Sequence, residues 1–199
     1  MTPDSDTSLQ EEKKALRKVL QARRTAAAAQ SEQPGEQLLT VLQAALSLPD
    51  RAIVSGYLPM GDEMDVLPTL AAMRESGHGI AMPVVVARGE PLQFRQWRPN
   101  DPLEDGPMGT KHPCGSAPVV VPEVLIVPLL GYDRRGYRLG YGGGFYDRTV
   151  AALRSAGEVV AIGVGFAAQE VAHIPHGPQD EAMDWIVTPR EAFRPEEEP

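Results

Sequence analysis

Residues 124–148 constrain this chain more than any other stretch. Val124 to Leu130 is a continuous apolar run, which reads as a strand buried on both faces. It passes through Gly131-Tyr132-Asp133-Arg134-Arg135-Gly136-Tyr137-Arg138-Leu139-Gly140-Tyr141-Gly142-Gly143-Gly144 into a helix expected over residues 145–156. Strand, glycine-dense loop, helix is the arrangement in which an α/β protein binds ligands beyond the carboxyl end of a strand. Glycines let the backbone approach a ligand closely and adopt positive φ. Successive exposed N–H groups and the helix N-terminus favour an anion such as phosphate. The loop is neither a P-loop nor a dinucleotide fingerprint, since no lysine and hydroxyl residue follow its last glycine. Arg138 adds a cation suited to phosphate. Asp147 suits either the helix dipole or a magnesium ion that also takes phosphate oxygens.

The rest of the chain supplies a matching framework. Residues 9–30 read as a helix with Ser8 as cap and Glu11 as capping-box partner. Lys13, Lys14, Arg17, Lys18, Arg23 and Arg24 make it basic, a pattern that by itself describes a solvated face. A second helix is expected over 35–47, a short strand over 52–57, a helix over about 66–76 and a strand region from Ile80. Leu92 to Trp97 alternates as a half-buried strand, so residues 87–118 read as a hairpin excursion. Further strands are expected over 159–166 and 185–188. The sum is an α/β layered αβα fold with a mostly parallel, Rossmann-like sheet flanked by helices. Residues 1–8 read as a disordered N-terminus, 9–191 as a single domain and 192–199 as an acidic tail.

Composition excludes several classes. With 27 acidic against 19 basic residues the formal charge is -8, which disfavours a nucleic-acid partner. The single cysteine, Cys114, cannot form an intrachain disulfide. The polar start MTPDSDTSLQEEKK does not read as a signal peptide, and no apolar run approaches a membrane span of about 20 residues. The expected location is the cytoplasm, without a membrane. Two further acidic groups stand out: Asp62, Glu63 and Asp65 after the first strand, and Asp180 with Asp184 near the end. Each suits a solvated turn; the first also suits a substrate rich in N–H donors.

The string Arg138-Leu139-Gly140-Tyr141-Gly142-Gly143-Gly144-Phe145-Tyr146-Asp147-Arg148 resembles the signature of 5-formyltetrahydrofolate cyclo-ligases. Val127-Pro128 and Asp133 upstream, the lysine-then-arginine spacing of Lys13 and Arg17, the block Tyr57 to Asp65, and Phe166, Gln169, Pro175, Asp180 and Asp184 also fit that family, in order, across roughly residues 10–190. Lys111-His112-Pro113 departs from it, standing where an acid is expected before the proline.

The resemblance implies an ATP- and magnesium-dependent enzyme. Lys13 and Arg17 would reach the nucleotide, with Arg138, Leu139, Gly140, Tyr141, Gly142, Gly143, Gly144, Phe145 and Tyr146 wrapped around it. Arg138 and Tyr146 would be catalytic, and Asp147 and Asp180 would hold magnesium. Met60, Glu63 and Asp65, with Tyr141 to Phe145, would border the folate. The substrate would be 5-formyltetrahydrofolate, with or without a polyglutamate tail, and the working form a monomer. In the implied reaction the formyl oxygen attacks the γ-phosphate, giving an N5 iminium phosphate and ADP. The N10 amine then closes the ring of 5,10-methenyltetrahydrofolate and phosphate leaves. Two other readings remain open on sequence: a sugar-phosphate isomerase or CoA-transferase-like enzyme that works without ATP, and a folate-binding regulator that consumes none.

Overall fold

The computed structural model describes residues 3–195, and their side chains from Thr7 onward. Among the described residues four α-helices, α1 (Pro3–Gln30), α2 (Pro34–Ala45), α3 (Leu67–Glu75) and α4 (Phe145–Ala156), flank a central sheet. The strands are β1 (Ile53–Ser55), β2 (Gly79–Val84), β3 (Gln93–Gln96), β4 (Leu103–Asp105), β5 (Lys111–Pro113), β6 (Val119–Val120), β7 (Val124–Pro128), β8 (Gly131–Tyr132), β9 (Arg138–Leu139), β10 (Val160–Val164), β11 (Trp185–Val187) and β12 (Ala192–Phe193). The main sheet has the order β12-β11-β10-β7-β1-β2-β3-β6. Its five middle strands, β11 to β2, run parallel; β12 and β3 run antiparallel to them, and β6 pairs antiparallel with β3. The mostly parallel layered fold is therefore as expected.

Alternation along the strands builds the two faces. Val124 and Ile126 of β7, Ile162 and Val164 of β10 and Val54 of β1 join Leu38 and Leu42 of α2 and Leu70 and Met73 of α3. Leu125 and Val127, Ala161 and Ile186 point the other way, onto Val150 of α4. Each parallel strand is thus apolar on both faces because helices cover both. A smaller cluster places Leu20 of α1 on Leu130, Leu139 and Ile174. A Cβ at Gly131 would collide with Leu20, so α1 approaches this closely only over glycine.

The helix ends follow local rules. Proline occupies the first turn of α2 and α3, where its missing N–H costs nothing. The end of α3 is closed by the His78 N–H on the Met73 carbonyl at 3.1 Å, with Gly77 at φ 97°.

Three expectations need correction. First, α1 begins at Pro3, not after Ser8; proline fits a first helical turn. Second, Ala192 and Phe193 form β12 against Val187 and Ile186, so the sheet takes in the start of the supposed tail. Residues 1–2 and 196–199, the ends of both terminal segments, lie outside the described residues. Third, the glycine loop is not irregular throughout: β8 and β9 form a short hairpin before it. In the excursion, β3 joins the main sheet while β4 and β5 form a separate hairpin. Among the described residues no helix is long and apolar enough to cross a membrane.

Candidate active site at the switch point of the sheet

From β1 the chain crosses over α3 to β2 on one side; from β7 it crosses over α4 to β10 on the other. The topological switch therefore lies between β1 and β7, and their carboxyl ends open the crevice where such sheets take ligands. Residues 56–65 leave β1 there, and residues 129–144 leave β7. Both contain sequence-expected site residues.

The β7 side is pinned by Asp133, which is fully buried. Its Oδ1 accepts N–H bonds from Arg135 and Tyr137 at 3.0 and 3.1 Å, and its Oδ2 accepts from the Ile174 N–H and the Arg135 guanidinium at 2.9 Å each. These bonds turn the chain between β8 and β9 and deliver Arg138 to the crevice. Arg138 is 7% exposed. One guanidinium nitrogen donates to Asp147 Oδ1 at 2.9 Å, the other to the Glu181 carbonyl at 2.8 Å. Asp147 Oδ1 also accepts the Glu181 N–H at 3.1 Å.

Beyond Arg138 the chain forms an open cradle. Residues 141–143 are exposed, with Gly142 at φ 97° and Gly144 at φ 65°. A Cβ at Gly142 would lie 3.2 Å from the Arg17 guanidinium, and one at Gly143 2.7 Å from the Phe145 ring. Gly144 precedes α4 without a side-chain cap, so the first N–H groups of a 12-residue helix face the cradle unpaired by any capping side chain. Arg17 crosses it from α1, its Nε 2.8 Å from the Gly140 carbonyl. Burial lowers the Arg17 pKa, an effect opposed by Asp180.

Lys13, one turn earlier on α1, is 7% exposed and grips both oxygens of Asp180, at 2.7 and 2.6 Å. Asp180 Oδ2 accepts the Gly177 N–H at 2.7 Å as well. Asp147 and Asp180 thus stand on chain segments that meet at Glu181, each neutralised by one basic residue. Among the described residues no three His, Cys, Asp or Glu side chains cluster as a complete metal site. Two carboxylates beside an anion cradle fit magnesium, which takes one or two carboxylates and completes its shell with phosphate and water.

The β1 side is organised around Glu63. Its Oε2 accepts the Met60 N–H at 2.9 Å, and its side chain is 5% exposed. Burial raises its pKa, partly offset by the Met60 bond and by Arg24. The Tyr141 hydroxyl and the hydroxyl of the partly buried Tyr146 both feel the Glu63 charge; burial first, and Glu63 second, raise their pKa values. Glu63 and the glycine loop therefore share one crevice. Leu139 turns inward to the Leu20 cluster. Asp65 departs from the group: it is exposed, and its Oδ1 takes the Leu67 N–H at 2.9 Å at the start of α3. Asp184 is structural, bonded to the Ala161 N–H at 2.7 Å and to Arg154 at 3.0 Å.

Arg24 was missed by sequence reasoning as anything beyond one more helical charge. It is 2% exposed, paired with Asp62 and 3.7 Å from Glu63. Lys13, Arg17 and Arg24 fall at i, i+4 and i+11, one helical face, with Leu20 buried among them. That spacing was the available signal.

Comparison with known proteins follows the same lines. The family description "5-formyltetrahydrofolate cyclo-ligase family" matches residues 9–189. The 5-formyltetrahydrofolate cyclo-ligase of Mycolicibacterium smegmatis is 32% identical over 147 residues, 69% of this chain and 73% of the relative. That of Escherichia coli K12 is 27% identical over 181 residues, 88% and 98% of the two chains. The NMR structure of Aquifex aeolicus 5,10-methenyltetrahydrofolate synthetase superposes with a TM-score of 0.73 at 25% identity, covering 94% of each chain. A synthetase structure from Mycoplasma pneumoniae, at 20% identity and a TM-score of 0.68, shares the fold.

Proposed function

The chain is an enzyme of the 5-formyltetrahydrofolate cyclo-ligase family, and on that premise we propose that it closes 5-formyltetrahydrofolate to 5,10-methenyltetrahydrofolate at the expense of ATP. The observation that carries this reading is the convergence of an anion cradle, two carboxylates and a buried acidic pocket on one switch-point crevice. An isomerase or CoA-transferase would leave the Arg138–Asp147 and Lys13–Asp180 pairs without a task, and a folate-binding regulator would not need the cradle.

ATP supplies the phosphoryl group that makes the formyl oxygen a leaving group, and magnesium supplies charge neutralisation on its phosphates. The chain's part is to bind and orient. The N–H groups at the start of α4 and of Gly142 to Gly144 donate to the phosphate oxygens from one side. Lys13, Arg17 and Arg138 face them with fixed positive charge. Asp147 and Asp180 would hold the magnesium, their present partners Arg138 and Lys13 turning to phosphate oxygens instead. Glu63, supported by the Met60 N–H, accepts N–H groups of the pterin and fixes its depth. Tyr141 and Phe145 border the folate, and Tyr146, which feels the charges of both Glu63 and Arg138, orients the formyl group through its hydroxyl. Asp65 is exposed and holds the Leu67 N–H at the start of α3.

The formyl oxygen then attacks the γ-phosphorus in line, forming the C–O–P bond of the N5 iminium phosphate and releasing ADP. The N10 amine attacks the same carbon, its proton leaves, and the C–O bond breaks with phosphate. Positioning and charge supply the acceleration, and no enzyme nucleophile is needed. The single cysteine suits a reducing, cytoplasmic compartment, and we read the working form as a monomer acting on substrate with or without a polyglutamate tail.

A heavy-oxygen label tests the pathway. Substrate labelled at the formyl oxygen should deliver its label to inorganic phosphate, one atom per methenyl product. Unlabelled phosphate would rule out the iminium phosphate.

A further inference from the structure

Arg24 has no place in the phosphate chemistry, yet it is as buried as the core leucines. An unpaired cation at that depth would be costly, so its partners define its purpose. Asp62 pairs with it directly, and Asp62 is itself clamped by Gln21 Nε2 at 3.2 Å and by the Thr25 hydroxyl. Three residues of one α1 turn and a half thus grip a single carboxylate of the β1 loop. The guanidinium lies 5.6 Å from the Tyr141 ring centre, so it touches the glycine loop as well. Its remaining nitrogens, Nε and one terminal nitrogen, have no hydrogen-bond partner, and that terminal nitrogen is the one 3.7 Å from Glu63 Oε1. At this separation the pair attracts without a hydrogen bond.

We infer that Arg24 is a positioning residue: held by Asp62, its guanidinium attracts the Glu63 carboxylate and keeps it aimed at the folate pocket, and so links α1 to substrate recognition. The inference deepens the proposed function and rests on Glu63 being a folate contact. The groups facing Glu63 are Arg24 from α1, Asp62 beside it, Tyr57 at the end of β1, Tyr141 from the glycine loop and Tyr146 from α4. Arg24 is the one cation among them, and it opposes the burial that favours a neutral Glu63. Asp62 has the reverse influence: its negative charge disfavours ionisation of Glu63, and it holds the guanidinium toward itself. One α1 face then serves both halves of the crevice, with Lys13 and Arg17 on the cradle and Arg24 on the acidic pocket.

The test titrates full-length protein carrying isotope-labelled glutamate carboxyls by NMR, with Glu63→Gln identifying the signal. Arg24→Met should raise the Glu63 midpoint by about one pH unit, and Arg24→Lys should restore most of it. Asp62→Asn should move the midpoint down, and it decides the matter if Arg24→Met fails to fold. A folded Arg24→Met with an unchanged midpoint, or no downward shift in Asp62→Asn, would overturn the inference. In turnover, Arg24→Met should raise the folate KM about tenfold while the ATP KM changes by less than about twofold. Equal rises in both would mark Arg24 as merely structural. The titration needs no substrate, so absence of cyclo-ligase activity in the wild type would sink the proposed function separately.

Discussion

Lys13 and Asp180 lie 167 residues apart in sequence, yet the lysine Nζ sits 2.7 and 2.6 Å from the two oxygens of the aspartate. This pair fastens α1 across the crevice. It also means that a metal seeking Asp180 must displace an ammonium. Lys13→Met should therefore bind magnesium more tightly in the absence of nucleotide, by several-fold to about tenfold, while its ATP KM rises. Calorimetric titration with magnesium alone checks the first half, and steady-state kinetics the second. Unchanged magnesium affinity would separate Asp180 from the metal.

Asp147 is bonded to Arg138 and to the Glu181 N–H. Asp147→Asn keeps one acceptor oxygen for these bonds, so circular dichroism should match the wild type. The kcat should fall by about two orders of magnitude or more, the scale of a lost charged transition-state contact, and added magnesium should restore part of it. Full turnover at limiting magnesium would remove Asp147 from the metal.

Gly142 adopts φ 97° with the Arg17 guanidinium beside the place a Cβ would take. Gly142→Ala should cost about 1 kcal/mol or somewhat more in stability through backbone strain. Its larger effect should be a raised ATP KM with the folate KM nearly constant. Thermal melts and paired kinetics separate the two.

Burial raises the Glu63 pKa above its ordinary 4.5. As pH falls through that raised value, Glu63 takes a proton and stops accepting pterin N–H groups. The acidic limb of kcat/KM for the folate should thus lie above 4.5 and vanish in Glu63→Gln, with enzyme-free blanks subtracted. Stability moves the opposite way: the raised Glu63 pKa favours the folded state below the unfolded value, and that contribution is lost as pH rises through the folded value.

Asp133 is the contrasting case. Its four bonds are all internal. Asp133→Ala should leave buried N–H groups unpaired and cost about 3–5 kcal/mol, seen as a lower melting temperature. Wild-type melting would show that the β8–β9 turn stands without it.

The strand–cradle–helix unit was legible because each part has a strong local signal: seven apolar residues, a glycine cluster, then a helix with bounds 145–156 as expected. The parallel order followed from strands spaced by helices. The β8–β9 hairpin was not legible, since two-residue strands carry no period and are held by Asp133 reaching residue 174. The strand at Ala192 was hidden by the acidic residues after it. Arg138, Asp147 and Glu63 had a local signal of their own, whereas the roles of Lys13, Arg17, Met60 and Asp180 came from resemblance, and the long-range pairing of all these residues is a product of topology. Arg24 looked like solvent-facing charge, because a helical sequence does not say which face a distant loop will cover.

Formation of the methenyl product tests the central claim most directly. Purified protein, 5-formyltetrahydrofolate, magnesium and ATP are mixed in mildly acidic buffer and the near-ultraviolet band of the product is followed. The band should grow in the complete mixture alone, and not without ATP or without magnesium. Product formed at equal rate without ATP, or no product from folded protein that binds both ligands, would contradict an ATP-driven cyclo-ligase.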